Sequence, residues 1–229
     1  MSGAEHLRGA TIAFDLDGTL VDSAPDLVGT LNYLLALENI APLPLAEART
    51  LIGGGARRLI ERGFSAQGLT LDPPKMEALF ERFIDHYQSH STELTRPYPG
   101  VVEALSHLKA QEAKLVVCTN KMTRLANPIL EGLNLAGFFD AVVGADSAPA
   151  PKPDARHLIT AVDLAGGDMR RTIMVGDAGP DAGVARASSV PLILVSFGYC
   201  EGPVAHLEPD VLIDHYDDLA AACARLLAG

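Results

Sequence analysis

Phe14-Asp15-Leu16-Asp17-Gly18-Thr19-Leu20-Val21-Asp22-Ser23 follows a short β-prone run, Thr11-Ile12-Ala13, and its first carboxylate stands where that run stops. An apolar strand ending in Asp-x-Asp-Gly-Thr carries two acids to a sheet edge and then turns at Gly18. Side chains at i and i+2 of an extended segment point the same way, so Asp15 and Asp17 are expected to face one small volume. Two like charges so placed repel by roughly 4 kcal/mol at about 4 Å with an effective dielectric near 20. A fold tolerates that with a cation beside the pair or with one acid protonated. The stretch therefore asks for a metal or a proton-transfer role. A plain Asp-Gly turn at a strand end would give the same local sequence without chemistry; the doubled acid and its distant partners favour the first reading.

Outward from this stretch, further short apolar runs recur at residues 114–118, 141–143, 172–175, 192–195 and 211–213, each followed by a helix-like segment. Continuous apolar runs of this length suit strands buried on both faces of a parallel sheet. Their alternation with helices predicts an α/β fold with a doubly wound, mostly parallel sheet. In such sheets ligands bind at the carboxyl ends of the strands. Between Ser23 and Arg96 no strand is evident, only amphipathic helical patterns over residues 26–37, 45–52, 56–63 and 75–90. That is too much helix for one crossover. It predicts an inserted α-helical domain at residues 23–96 and a core built from residues 1–22 and 97–229.

The chain has 229 residues, enough for one sizeable core with a small accessory domain. Its 18 Lys and Arg against 29 Asp and Glu leave a net charge of −11. That balance argues for no nucleic acid partner, which would need clustered positive charge. An anionic substrate must then be drawn in by a local cationic site. Three widely spaced cysteines, Cys118, Cys200 and Cys223, suit a reducing compartment without a disulfide framework. No apolar run is long enough to span a membrane, and the expectation is a cytoplasmic protein.

Three more strand ends carry polar residues. Thr119-Asn120-Lys121 follows the second run and offers a hydroxyl and an amide that can hold a phosphate or carboxylate oxygen, although such a pair is also ordinary turn chemistry. In Ala150-Pro151-Lys152-Pro153-Asp154 two prolines stiffen the backbone around Lys152. This suits a cation that must be aimed, or equally a solvated loop lysine. In Gly176-Asp177-Ala178-Gly179-Pro180-Asp181 the two acids can cap a helix, or supply hard oxygen ligands to Mg²⁺. The run Gly53-Gly54-Gly55-Ala56-Arg57-Arg58 lacks the Gly-Lys-Ser/Thr of a nucleotide-binding loop. It reads as a flexible helix start, or as a helix N-terminus whose arginines meet a substrate carboxylate.

In order along the chain, Asp15-Leu16-Asp17-Gly18-Thr19, Thr119-Asn120, Lys152-Pro153 and Gly176-Asp177 with Asp181 resemble the four motifs of the haloacid dehalogenase superfamily of phosphotransferases. The helical insert is similar to that superfamily's cap domain, and the resemblance covers essentially the whole chain. It implies that Asp15 is a nucleophile forming an aspartyl-phosphate and that Asp17 is the acid, then base, of the reaction. It implies that Mg²⁺ is held by Asp15, the Asp17 carbonyl and Asp177, with Asp181 beside or in that shell. Thr119, Asn120 and Lys152 would hold the phosphoryl oxygens. Within the superfamily the chain most resembles the phosphoglycolate phosphatases, through Asp22-Ser23-Ala24-Pro25-Asp26-Leu27, the segment 52–62, Pro97-Tyr98-Pro99-Gly100-Val101 and Val195-Ser196-Phe197-Gly198-Tyr199. Ala178 departs from the Ser that many relatives carry there. The resemblance implies a small phosphorylated metabolite as substrate; Arg57, Arg58 or Arg62 after the glycine run would meet its organic part, and a monomer or homodimer is expected. A sugar phosphate, or a phosphosugar mutase activity, is the alternative within the class; Thr19 disfavours the mutase. A non-catalytic module on the same fold is the alternative from another class, and the full catalytic set disfavours it.

Overall fold

The run at residues 11–14 becomes β1 (Thr11–Phe14) in a computed structural model that describes residues 4–228, and all four of its residues are buried. The chain forms two compact units. The first comprises the chain up to Val21 and from Pro97 onward, the second Asp22–Arg96. The chain passes between them through β2 (Val21–Asp22) and β3 (Arg96–Pro97), which pair as a two-stranded sheet. Two residues, one a proline without an N–H, leave no strand pattern in the sequence.

In the first unit β1 lies inside a six-stranded sheet with β4 (Lys114–Cys118), β5 (Ala141–Val143), β6 (Thr172–Gly176), β7 (Leu192–Val195) and β8 (Val211–Ile213). The order is β5-β4-β1-β6-β7-β8 and every pairing is parallel. Parallel neighbours need a crossover, and helices supply it. α6 (Val101–Ala110) and α7 (Thr123–Gly132) flank β4, α8 (Ala155–Leu164) joins β5 to β6, and α9 (Gly179–Ala187) joins β6 to β7. α1 (Ala4–Leu7) packs on α10 (Leu219–Ala228). One face of the sheet puts Ala13, Val116, Cys118, Met174 and Leu194 against Leu158, Val162 and Val184 of α8 and α9. The alternate residues Ile12, Phe14, Leu115, Val117, Ile173 and Val175 are equally buried. Each such side chain contributes about 1.5–3 kcal/mol of burial. That is why these strands read as unbroken apolar runs.

The register sets the site. Phe14 pairs with Val117 on one side and Val175 on the other. The carboxyl ends of β1, β4 and β6 therefore stand nearly level, and the residues that follow them share one edge.

The second unit is helical: α2 (Ala24–Leu37), α3 (Leu45–Ala48) with a 3₁₀ turn at Arg49–Leu51, α4 (Ala56–Ala66) and α5 (Pro73–His90). α5 buries Leu79, Phe83, Ile84 and Tyr87 and packs on α2 and α4. Asp72 caps it by accepting from the Lys75 N–H at 2.8 Å, and Pro73 begins it. A Cβ at Gly63 would come within 2.6 Å of the Leu31 side chain, so glycine lets α4 close on α2. Asp26, in the first turn of α2 and buried, accepts from the N–H of Leu94 (2.9 Å), the N–H of Thr95 (2.8 Å) and the Thr95 hydroxyl (2.7 Å). One carboxylate thus fastens the two ends of the unit together.

Candidate active site

Asp15 is the residue after β1. Its N–H continues the sheet to Val175 at 3.0 Å, and its Oδ1 accepts from the Leu16 N–H at 2.7 Å. The chain then turns, with the Leu16 carbonyl accepting from Leu20 at 3.0 Å and Val21 at 3.1 Å. This turn separates the two acids, which an extended segment would have aimed alike. Asp15 joins Asp177 and Asp181, while Asp17 meets Lys121, whose Nζ lies 2.9 and 2.8 Å from its two oxygens. The charge of Asp17 is still close enough to add to the rise in the Asp15 pKa.

Lys152 reaches this edge from the β5–α8 loop with its side chain 1 % exposed. Its Nζ is 2.6 Å from Asp181 Oδ1 and 3.1 Å from Asp15 Oδ1. Its main chain is held from two sides. The Asn120 amide accepts from the Lys152 N–H at 2.8 Å and donates to the Lys152 carbonyl at 3.0 Å. The buried His157 ring accepts from the same N–H through Nδ1 at 3.0 Å, and its Nε2 lies 3.2 Å from the Val143 carbonyl. That pairing selects the neutral tautomer with its proton on Nε2. Burial pulls the His157 pKa down, the Val143 carbonyl opposes it and Lys152 adds to it.

Asp177 ends β6 and is held by the Thr19 hydroxyl at 3.0 Å and the Tyr199 N–H at 2.6 Å. The Thr19 carbonyl accepts in turn from the buried Tyr216 hydroxyl at 2.9 Å. Asp181, in the first turn of α9, accepts through Oδ2 from the N–H groups of Asp177 (3.1 Å) and Ala178 (3.0 Å). Asp181 thus caps the helix and also faces the site, whereas the Asp177 carboxylate, held by Thr19 and Tyr199, does not cap it. Glycines make the closeness possible: a Cβ at Gly176 would lie 2.2 Å from the Asp181 Cγ, and one at Gly18, where φ is +80°, 2.5 Å from Asp177 Oδ2.

Asp15, Asp177 and Asp181 each offer an oxygen, and these lie within 4.8 Å of one another. Burial pushes Asp15 up to about 6 against the opposing charge of Lys152. Burial also raises Asp177, helped by Asp181 and Asp15. Burial would pull Lys152 down, yet Asp15 and Asp181 hold it above its ordinary value. With all three carboxylates ionised, the one ammonium would leave two negative charges unbalanced. A divalent cation with a preference for hard oxygen donors fits both that charge and the donor set.

The model of the haloacid dehalogenase-like hydrolases matches residues 12–195, from β1 to the end of β7. The chain belongs to this family. It is 54 % identical over 227 residues to a phosphoglycolate phosphatase of Caulobacter vibrioides, covering 99 % of this chain and 96 % of that one. It is 45 % identical to one of Agrobacterium fabrum, covering 91 % and 90 %. A crystal structure from Haemophilus somnus, described as that of a predicted phosphoglycolate phosphatase, superposes with a TM-score of 0.86 at 29 % identity. It covers 94 % of this chain and 98 % of that one.

In this hydrolase the sheet edge brings together Asp15, Thr119, Lys152, Asp177 and Asp181; the Thr119 hydroxyl bonds to Asp15 and accepts from the Lys121 N–H at 3.2 Å. The Asn120 amide grips the Lys152 backbone, so its contribution passes through the aim of that lysine. Arg57 and Arg58 lie in the helical unit. Arg57 makes two bonds to Glu77 at 2.7 and 2.9 Å and lies 3.9 Å over the Phe80 ring. The Arg58 side chain runs against Gly54. Sequence reasoning passes over Lys121 and His157. Only the adjacency of Lys121 to Thr119-Asn120 hints at the first, and a histidine five residues after Lys152 is no signal by itself.

Proposed function

We propose that this haloacid dehalogenase-like hydrolase is a Mg²⁺-dependent phosphomonoesterase that converts 2-phosphoglycolate to glycolate and phosphate. The observation that carries the reading is Asp15 directly after β1, clustered with Asp177 and Asp181 and touched by the Lys152 ammonium. The names of the relatives at 54 % and 45 % identity support the substrate.

In this mechanism an Asp15 oxygen attacks phosphorus, forming an aspartyl-phosphate while the bond to the glycolate oxygen breaks. Asp17 gives its proton to the departing oxygen and then takes one from the water that attacks the acyl phosphate. Phosphate leaves, and Asp15 is restored. Lys152 and Thr119 hold the phosphoryl oxygens as charge spreads over them. Asn120 and His157 keep Lys152 aimed. Asp15, Asp177, Asp181 and the Asp17 carbonyl hold the Mg²⁺, which when bound offsets the repulsion between the carboxylate and the phosphate dianion. The acidic surface makes no general attraction for such a substrate, so these local cations supply it.

The test is phosphate release from 2-phosphoglycolate and other small esters, with Mg²⁺ and with excess EDTA, for wild type and Asp15→Asn. Turnover is expected with Mg²⁺ alone, best on 2-phosphoglycolate, and lost in Asp15→Asn with the melting temperature retained. Acid–base help alone supplies about 10²–10⁴-fold. More than about a hundredth of the activity left in Asp15→Asn would therefore exclude covalent catalysis by that residue. Full activity in EDTA would exclude the metal.

A further inference from the structure

We propose that Lys121 recognises the carboxylate of the substrate and so determines specificity; the assignment rests on the 2-phosphoglycolate reading. Lys121 follows Thr119 and Asn120 directly, in the loop between β4 and α7, and its charged side chain is 6 % exposed. A lysine in a loop ordinarily keeps its ammonium in water while its stem lies on the surface. Here the ammonium is withdrawn and meets both oxygens of Asp17, at 2.9 and 2.8 Å. Asp17 is 22 % exposed, so the pair stands at the opening of the buried cluster, with the acid the more open of the two.

The chemistry of the leaving group brings the substrate to this ammonium. An acid that protonates the departing oxygen must come within about 2.6–3.2 Å of it. Lys121 touches that same acid. In 2-phosphoglycolate one methylene separates the departing oxygen from the carboxyl carbon. With bonds near 1.5 Å, the carboxylate oxygens lie about 3 Å from the departing oxygen. A substrate engaged by Asp17 therefore holds its carboxylate within reach of Lys121 Nζ.

Charge balance works in the same direction. Both Asp17 oxygens face Lys121, and one must turn to the departing oxygen for proton transfer. An Asp17 that still carries the proton to be given is neutral, so until the transfer it offers the ammonium no counter-charge, and the substrate carboxylate supplies one. The helical unit gives Arg57 no comparable role, since Glu77 and Phe80 already engage it.

The experiment compares 2-phosphoglycolate with ethyl phosphate, which has the same primary-alkoxide leaving group but a methyl where the carboxylate stands. Both need the acid, so damage to Asp17 lowers both rates and cancels in their ratio. In Lys121→Met the ratio of kcat/KM for 2-phosphoglycolate over ethyl phosphate is expected to fall roughly 10–150-fold, the range for one charge-assisted hydrogen bond. Lys121→Arg should restore most of that ratio. p-Nitrophenyl phosphate, whose departing group needs no proton, reports whether each variant is folded, and Lys121→Gln replaces Lys121→Met if the latter is not. A ratio that stays at the wild-type value in the neutral variants overturns the assignment. A wild-type enzyme with no preference between the two esters overturns the substrate reading, and the assignment with it.

Discussion

Replacing Gly198 by alanine tests whether Asp177 holds the metal. Gly198 lies in the loop after β7, and a Cβ there would stand 2.2 Å from the Asp177 Cβ, 2.5 Å from its Oδ2 and 2.6 Å from its Cγ. Nothing about the backbone forbids alanine, so the effect is purely steric. The contact must open by at least 0.8 Å to reach the 3.0 Å below which real Cβ atoms essentially never come. The atom in the way is the stem of the aspartate, not its tip, so no rotation of the carboxylate clears it. Thr19 and the Tyr199 N–H also hold that carboxylate in place. Overpacking of this kind costs about 1–3 kcal/mol. A ligand oxygen is tolerated within about 0.2 Å of its ideal position, so the shift is several times what a metal site absorbs. Disturbed support of a ligand typically lowers metal affinity about 10–100-fold. Phosphate release measured against Mg²⁺ should show the half-saturating concentration rising by that factor, with the rate at saturating metal recovering. Melting in EDTA separates the plain packing cost, at about 2–4 °C per kcal/mol for a chain of this size. Gly29→Ala is the control, because it faces open space within α2 and should stabilise by about 0.4–1 kcal/mol. An unchanged Mg²⁺ requirement in Gly198→Ala would refute the reasoning.

Asp26→Ala strands the N–H groups of Leu94 and Thr95 and should cost about 3–5 kcal/mol by urea unfolding; a loss under about 1 kcal/mol would show that the helical unit does not depend on this clasp. Thiol labelling at pH 8 should modify Cys200 alone in the native protein and all three cysteines after unfolding. Burial pushes the buried Cys118 and Cys223 up to about 12, and only Cys200 is partly exposed; a second thiol reacting in the native state within minutes would contradict that. Arg57→Ala removes a cation already engaged by Glu77, so the ratio of 2-phosphoglycolate to ethyl phosphate activity should stay within about threefold; a larger change would move recognition of the carboxylate to the helical unit.

The sheet was legible because its strands are buried on both faces. Ile12-Ala13-Phe14, Leu115-Val116-Val117 and Ile173-Met174-Val175 admit no polar residue, and each run stops where a polar group emerges at the site. The helices of the insert were legible from their apolar spacing, as in Leu79, Phe83, Ile84 and Tyr87 of α5. What the sequence concealed is pairing over distance. Lys121 is passed over in the sequence because Asp17 is 104 positions away. The hold of Asn120 on the Lys152 backbone is hidden because it crosses 32 positions. Arg57 shows its charge in the sequence, but its engagement by Glu77 depends on how α4 meets α5. Asp17 parts from Asp15 because the chain turns at Leu16, and no residue pattern announces that as distinct from one more extended step.

The place of β1 inside the sheet also bears on how the chain is made. β1 leaves the ribosome well before its neighbours β4 and β6, which begin at Lys114 and Thr172. Roughly 160 residues separate it from the second of them, about 8–30 s of synthesis at 5–20 residues per second. Until β4 is made both edges of this apolar strand stand unpaired, and one edge stays so until β6, with Asp15 at the strand's end. The helical unit meanwhile draws on residues 22–96 alone and is complete before either neighbour exists. A nascent chain stalled once Arg96 has cleared the ribosome, with β4 still inside it, is therefore expected to hold an ordered helical unit and an open β1, and to become a target for chaperones that bind extended apolar segments.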